Sequence, residues 1–166
     1  MLKVDVQGLD LEVLQSASEL VRKSLLAIRA EVSFVPVYKS QPLFSEIEQF
    51  LRGHQFVPME FLEMHHWRRS TRTKLPKLAS GDMPFSHGQL IHGDVLFFRD
   101  PQHIEVETDR GRERAIRAAL LAIAYHHLDH AYSLLSAPPL REYILDRYGI
   151  DITSVLHRIS QQLAAR

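Results

Sequence analysis

A carboxylate near the end of a predicted buried strand is the first feature of this sequence that points to chemistry. Leu2, Val4 and Val6 alternate as the apolar positions of a short strand, and Asp5 lies near its carboxyl end. In open α/β sheets, ligands bind beside the carboxyl ends of the strands. We therefore expect Asp5 to orient a hydroxyl, bind a metal or face a cofactor. The alternative is that Asp5 only caps the helix that follows.

Two histidines are candidates for proton transfer. His92 directly precedes the last predicted strand (93–99), and His65 begins a long polar loop together with His66. Histidine is the usual general base because its ordinary pKa lies near neutrality. We name His92 and His65 as candidate catalytic residues. The alternative for each, and the more frequent role of any single histidine, is a surface or packing position.

Glu31 is an acidic residue inside an otherwise apolar predicted strand. A buried carboxylate without a partner is costly in free energy. Glu31 therefore either pairs with a cation, for which Lys3 and Arg29 are the candidates, or faces a pocket and binds a substrate.

A basic stretch without a single acidic residue follows Trp67. Its members are Arg68, Arg69, Arg72, Lys74 and Lys77. Arg68 and Arg69 are candidates for gripping a phosphate, a nucleotide-sugar or a carboxylate. The alternative is a solvated loop.

Composition limits the partners of this chain. In 166 residues, Lys and Arg total 20 and Asp and Glu total 20, so net charge gives no argument for nucleic acid or a membrane. The absence of cysteine excludes disulfides and thiolate metal sites.

His126 and His130 have the i, i+4 spacing of two metal ligands on one helix face, but a third ligand is not recognisable, and we expect no metal. No signal peptide opens the sequence, which favours a cytoplasmic protein.

Hydrophobic periodicity divides the sequence into two parts. Residues 1–100 are predicted to form a β-α-β-α-β-loop-β arrangement, and residues 101–166 a helical extension. The predicted strands are 2–6, 27–37, 55–64 and 93–99, the long loop is 65–88, and the predicted helices are 9–26, 44–52, 109–137, 138–148 and 151–165. Asp10 is predicted to cap the first helix.

Three segments together resemble the FkbM-type family of S-adenosylmethionine-dependent methyltransferases. Residues 2–14 read Leu-Lys-Val-Asp-Val-Gln-Gly-Leu-Asp-Leu-Glu-Val-Leu, similar to the family's Lys-Ile-Asp-Val-Glu/Gln-Gly block and the helix after it. Residues 30–38 (Ala-Glu-Val-Ser-Phe-Val-Pro-Val-Tyr), continued by 41–51, are the second segment, and residues 88–99 resemble the family's closing strand. One departure is Gln55, where the family usually has glycine before the phenylalanine of the next strand.

The resemblance implies a partial Rossmann-like (class I methyltransferase) α/β sheet with a C-terminal α-helical extension. It implies transfer of a methyl group from S-adenosylmethionine to a hydroxyl of a sugar or another small-molecule acceptor. For this activity the candidates are Asp5, Gln7 and Gly8 toward the cofactor, Asp5, His92 and His65 for catalysis, and Glu31, Arg68 and Arg69 toward the acceptor.

The seven glycines of the chain include no Gly-x-Gly pair. By resemblance, the chain therefore corresponds to strands four to seven of a seven-stranded sheet, without the half that binds most of the cofactor. The predicted first strand is then an exposed apolar edge, which is a template for self-association or for a partner chain. The alternative function is a non-catalytic interaction module derived from the same fold.

Overall fold

The computed structural model describes residues 1–67 and 88–164 of the chain. The strands are β1 (Leu2–Val4), β2 (Ala27–Ser33), β3 (Phe56–Trp67) and β4 (Gln89–Arg99). The helices are α1 (Asp10–Ser16), α2 (Ser18–Lys23), α3 (Phe44–Gly53), α4 (Asp109–Ala124), α5 (Leu128–Leu135), α6 (Pro138–Tyr148) and α7 (Ile152–Ala164), with a short 3-10 turn at Pro101–His103. None of the helices within these ranges is long and apolar enough to cross a membrane.

The four strands form one mixed sheet in the order β1-β2-β4-β3. β1 and β2 are parallel, with Leu2 opposite Ile28 and Val4 opposite Ala30. β4 lies between β2 and β3, and its side chains are buried from Gly93 to the end of the strand, as expected for a central strand. The chain is thus an α/β protein.

Side-chain pairs show the direction of β4. Arg29 pairs with Asp94, and Glu31, two residues further along β2, pairs with His92, two residues earlier on β4. Partners that advance along one strand and recede along the next belong to antiparallel strands. β4 therefore runs opposite to β2, which leaves β1 and β2 with their carboxyl ends at the same edge of the sheet.

The regular alternation of β3 is broken at Glu63, whose φ of 46° is in the left-handed region. Phe61 packs on Phe44 of α3, with ring centroids 5.3 Å apart, whereas Glu63 reaches Arg29. Two residues at i and i+2 face the same side of a regular strand, so the break at Glu63 acts as a β-bulge that redirects its side chain. Gly93 of β4 lies directly against this break.

Contacts divide the chain into two compact units, residues 1–54 with 58–97, and residues 55–57 with 98–166. In the first unit, α1 and α3 pack on β2 and on each other. The most buried apolar side chains of this unit include Leu14, Ile28, Ile47, Leu51 and Val95. The domain boundary expected after residue 100 stays a prediction.

The second unit has an alanine-rich face. Ala115, Ala118, Ala119 and Ala122 of α4 are buried, and small side chains allow the close packing of α4 on α5. Leu120 of the same helix is 59% exposed, on the side away from these alanines.

Several predicted boundaries differ from the structure. The helix expected over residues 9–26 is two helices, interrupted at Ala17. The helix expected over residues 109–137 ends at Ala124, and His126 in the following turn has a φ of 64°. Gln55, where the resemblance expects glycine, has a φ of 66°, a conformation that glycine adopts without strain.

Candidate functional site

One face of the sheet carries charged and imidazole side chains from all four strands. We call it the polar face and define it by Lys3, Asp5, Arg29, Glu31, Glu63, His65, His92 and Asp94. These side chains contact one another across the strands, as the following distances show. The polar face brings together four of the residues that the sequence assigned to chemistry: Asp5, Glu31, His65 and His92.

Glu31 and His92 form the central pair of the polar face. The Oε1 atom of Glu31 lies 3.2 Å from Nδ1 of His92, and the two side chains are 20% and 25% exposed. Burial raises the pKa of the Glu31 carboxyl, the nearby carboxylate of Asp5 raises it further, and the charge of a protonated His92 lowers it. The expected partners of Glu31, Lys3 and Arg29, were wrong, because the antiparallel register of β2 and β4 places His92 opposite Glu31.

An aromatic cluster surrounds His92. The imidazole of His65 stacks on that of His92, with centroids 4.6 Å apart and planes inclined by 18°. The indole of Trp67 meets the His92 ring edge-on at 6.2 Å and is 51% exposed. The two candidate bases are therefore neighbours, and one exposed aromatic surface adjoins them.

Arg29 joins two acidic residues on the polar face. Its Nε donates to Oδ2 of Asp94 at 2.5 Å, and its Nη2 lies 2.9 Å from Oε1 of Glu63. Asp94 is the buried member, with a side chain that is 9% exposed. This Arg29–Asp94 pair fixes the side of β4 on which His92 also lies, because residues 92 and 94 share a face of the strand.

Asp5 lies at the margin of the polar face, directly after β1, and its side chain is 40% exposed. Its Oδ2 accepts a hydrogen bond from Nζ of Lys3 at 3.2 Å. The helix that follows β1 has no side-chain cap, so the alternative role of Asp5 as a helix cap is not observed.

The turn between β1 and α1 is closed by Asp10, not capped by it. The Asp10 carboxylate accepts hydrogen bonds from the backbone N–H groups of Val6 at 3.2 Å and Gly8 at 3.3 Å. The prediction that Asp10 caps the helix was wrong by one position, because the helix begins at Asp10 itself and Leu9 is the N-cap. Burial raises the pKa of Asp10, against the lowering effect of these backbone bonds.

Gln7 and Gly8 have left-handed backbone conformations, with φ of 55° and 94°. The hydroxyl of Tyr38 donates to Oε1 of Gln7 at 2.7 Å, and a Cβ placed on Gly8 would lie 2.9 Å from Cδ2 of Tyr38. The ring of Tyr38 thus fills the space beside Gly8. The assignment of Gln7 and Gly8 to the cofactor stays a prediction.

Other sequence candidates lie elsewhere. Arg68 and Arg69 are outside the described residues. His126 is exposed in the turn before α5, whereas His130 is buried with its ring 5.1 Å from that of Phe98, and burial lowers its pKa. Within residues 1–67 and 88–164, no group of three or more acidic or histidine side chains has the arrangement of a metal site.

The sequence did not identify the contacts that Arg29 makes with Asp94 and Glu63. Asp94 and Arg29 are separated by 65 residues, so no local sequence pattern predicts their contact. One signal was available: an arginine and an aspartate in two predicted apolar strands each require a partner, and each strand supplies one.

Comparisons with known proteins give one family. The model described as the methyltransferase FkbM domain matches residues 1–58, from β1 to the start of β3. The match confirms the resemblance to the FkbM-type family over residues 1–58. Members of this family in general depend on S-adenosylmethionine. The third segment of the resemblance, residues 88–99, lies beyond the match and stays a prediction. No curated protein and no solved structure matches the chain significantly.

Proposed function

We propose that this chain is the acceptor side of an FkbM-type, Rossmann-like methyltransferase that methylates a hydroxyl of a sugar or another small metabolite. The match of residues 1–58 to the methyltransferase FkbM domain carries the proposal. β1 to β4 are taken as strands four to seven of the complete sheet. The polar face then lies where the acceptor is oriented.

Glu31 and His92 supply the proton chemistry of this proposal. An alcohol becomes a better nucleophile when a base removes its proton as the new bond forms. With Glu31 holding Nδ1 of His92 at 3.2 Å, Nε2 is the atom that takes the hydroxyl proton. Glu31 fixes the ring orientation and stabilises the imidazolium, so it is a positioning residue and His92 is the base.

The aromatic cluster supports a sugar acceptor. Sugars place their C–H faces on exposed aromatic rings, and Trp67 presents about half of its surface beside His92. A ring docked there has its hydroxyls near the proposed base. Asp5, directly after β1, is assigned to hydrogen-bond the same acceptor.

The cofactor-binding part of the enzyme is assigned to sequence outside these 166 residues. The chain has no Gly-x-Gly loop, and Tyr38 fills the space beside Gly8. Reading the genomic sequence around the Met1 codon is the first test. We expect an upstream or neighbouring segment with a strand followed by a glycine-rich loop, and unrelated sequence there would contradict the proposal.

The enzymatic test combines that segment with this chain. Transfer of radiolabelled methyl from S-adenosylmethionine to a panel of sugars is expected only when both parts are present. Removing the base by His92→Gln should lower kcat by about 100-fold or more. His103→Gln is the matched control, because His103 is an exposed histidine of the 3-10 turn, and it should leave kcat unchanged. Equal losses in both variants, or no transfer by the wild-type combination, would contradict the proposal.

A non-catalytic interaction module is the second candidate. It is favoured by the filled space at Gly8 and by the position of β1 at one edge of the described sheet. The same assay separates the two candidates, since the module predicts assembly without methyl transfer.

A further inference from the structure

A cleft lies in the second unit, between helix α5 and the connector formed by residues 101–107. The connector lines one side, and Ser133, Leu134 and Ala137 line the other. The volume of the cleft is about 490 Å³, and small-molecule sites range over roughly 300–1,000 Å³. All of the lining residues belong to residues 98–166, so the cleft is a feature of one compact unit. The proposed function makes no use of it.

The connector wall of the cleft is held by α4. Nε of Arg112 donates to the backbone oxygen of Val106 at 2.9 Å. A Cβ on Gly111 would lie 2.5 Å from the backbone oxygen of Glu105, so glycine at this position lets the connector lie directly on the first turn of α4. The opposite wall is α5, which packs on α4. Both walls are therefore fixed to the same pair of helices, and the cleft is pre-formed.

The buried members of the lining form an apolar floor. Ile104 and Leu134 are 6% and 3% exposed, and Val106 is half-buried. Ser133 and Ala137 on the α5 side are small, which leaves room above this floor. A ligand that places a flat ring or a short alkyl chain here removes apolar surface from water, and this favours binding.

The rim of the cleft is acidic. Glu105 and Glu107 are exposed, and Glu107 is fixed because its Oε2 accepts the N–H of Val106 at 3.0 Å. Among the described residues that line the cleft, no lysine or arginine balances these two carboxylates. Arg112, which holds the wall, pairs with Asp109 at 3.0 Å. An apolar floor below two carboxylates favours a ligand that has an apolar body and a positive charge.

We propose that this cleft binds a small organic amine, with the apolar body of the ligand on Ile104 and Leu134 and its ammonium group at the carboxylates of Glu105 and Glu107. The proposal is independent of the methyltransferase assignment, because the cleft and the polar face have no residue in common. It adds a ligand site to the helical part of the chain, to which the sequence assigned no chemistry.

Three indole compounds test the charge of the ligand. Tryptamine, tryptophol and indole-3-acetate share one ring system and carry a positive, no and a negative charge. They are titrated into the full chain at pH 8, where histidine is ordinarily neutral, and followed by ¹⁵N NMR. We expect tryptamine to shift the backbone amide signals of residues 102–107 and 133–137. It should bind about five-fold more tightly than tryptophol, and indole-3-acetate should bind more weakly than both.

Substitutions locate the site. Ser133→Trp fills the cleft from α5 and should weaken tryptamine binding by about ten-fold or more. Ser16→Trp makes the same change at an exposed serine of α1, in the other unit, and should leave binding unchanged. The double variant Glu105→Gln with Glu107→Gln should bind tryptamine and tryptophol equally, because it keeps the apolar floor and removes both charges.

The contrary outcomes are equally specific. No shifts with tryptamine up to about 10 mM, or shifts that map to the polar face and not to the cleft, overturn the proposal. Equal affinities of the wild type for the three compounds, or wild-type affinity in Ser133→Trp, also overturn it. If circular dichroism shows Ser133→Trp to be unfolded, Ala137→Leu, which fills the cleft from its other end, must weaken tryptamine binding. No methyl donor is present in these measurements, so failure of the proposed function leaves their result intact.

Discussion

Arg29 binds Asp94 through Nε at 2.5 Å, in the middle of the polar face and across two antiparallel strands. The same guanidinium reaches Glu63 at 2.9 Å. The two acidic partners differ sharply in environment, since the Asp94 side chain is 9% exposed and that of Glu63 is 69% exposed. One cation therefore has a buried partner and a solvated partner, which makes their contributions separable.

We predict that removing Arg29 is far more damaging than removing Glu63. Among the described residues, Arg29→Ala leaves the buried Asp94 carboxylate with the distant Nζ of Lys3, 3.9 Å away, as its cation, and should lower the free energy of unfolding by about 3 kcal/mol. Glu63→Ala removes an exposed partner and should cost less than about 1 kcal/mol. Urea unfolding followed by circular dichroism measures both. Equal losses would show that Asp94 does not depend on this cation.

The Glu31–His92 pair makes a titration prediction. A protonated His92 lowers the pKa of Glu31, whereas burial and Asp5 raise it. His92→Gln removes the lowering influence and should raise the pKa of Glu31 further above its ordinary value of 4.5, as followed by carboxyl-carbon NMR. His65→Gln, which removes the stacked ring but not the partner at Nδ1, is the control and should shift the Glu31 titration less. If the pKa of Glu31 shifts more in His65→Gln than in His92→Gln, the charge that lowers this pKa belongs to His65 and the prediction is wrong.

The sequence predicted the elements around the site better than the contacts within it. Apolar alternation placed β2 and β4 close to their observed ranges, and the cost of a buried carboxylate correctly demanded a partner for Glu31. The identity of that partner depends on the register of β2 against β4, which is set between residues 61 positions apart in the sequence. No local pattern contains that information, so Lys3 and Arg29 were named instead of His92.

The sequence also could not predict where a helix or strand is interrupted at a residue other than glycine or proline. His126 ends the helix expected to continue to residue 137, and Glu63 interrupts β3, yet both are ordinary helix or strand residues in type. Tertiary packing sustains these left-handed conformations, which cost about 1 kcal/mol or more each. Such positions are visible only when the surrounding structure is known.

The 166-residue chain alone should bind S-adenosylmethionine very weakly. Tyr38 fills the space at Gly8, and the chain has no Gly-x-Gly loop that would approach the methionine part of the cofactor. We expect a Kd weaker than about 1 mM in isothermal calorimetry, equivalent to less than about 4 kcal/mol of binding free energy. A micromolar Kd would show that these residues hold a complete cofactor site. Tyr38→Ala tests the cause, because any gain in affinity in that variant identifies the ring as the obstruction.

Asp10 should make stability depend on pH in a particular direction. Burial raises its pKa above the ordinary value of 3.8, so the folded state holds this proton more tightly than the unfolded state. The stabilisation from that proton is complete below pH 3.8 and is lost as the pH rises through the raised pKa. Asp10→Asn lacks a titrating group, so the stability of the wild type relative to this variant should fall over that window. A flat difference in urea unfolding from acid to neutral pH would contradict it.

The hydrogen bonds of Asp10 are tested by a second substitution. Asp10→Ala removes the acceptor of the Val6 and Gly8 N–H groups, and the Gly8 bond is buried. An unsatisfied buried donor is costly, and we expect a loss of about 2 kcal/mol in the free energy of unfolding at neutral pH. Asp10→Asn retains an oxygen acceptor and should lose much less. Similar losses in the two variants would mean that the carboxylate charge, not its acceptor role, stabilises the turn.

Gly93 is predicted to be required by the break in β3. A Cβ at this position would collide with Sδ of Met64 and would also lie 3.1 Å from the Cα of Met64 and 3.2 Å from the backbone oxygen of Glu63. The methionine side chain can move, but the two backbone atoms can yield only if the redirected segment is displaced. Gly93→Ala should therefore lower the free energy of unfolding by about 2 kcal/mol.

Gly53 provides the matched control for the same substitution. It ends α3, and a Cβ there would meet nothing within 4 Å, so Gly53→Ala only restricts the unfolded chain. We expect no loss, or a gain of up to about 1 kcal/mol, in the same urea unfolding measurement.

The Gly93→Ala variant should also weaken the Arg29–Glu63 contact, because relief of the collision moves Glu63. A double-mutant cycle that combines Gly93→Ala with Glu63→Ala detects this coupling as non-additive losses of unfolding free energy. Additive losses, or a Gly93→Ala variant as stable as Gly53→Ala, would show that β4 tolerates a side chain opposite the break.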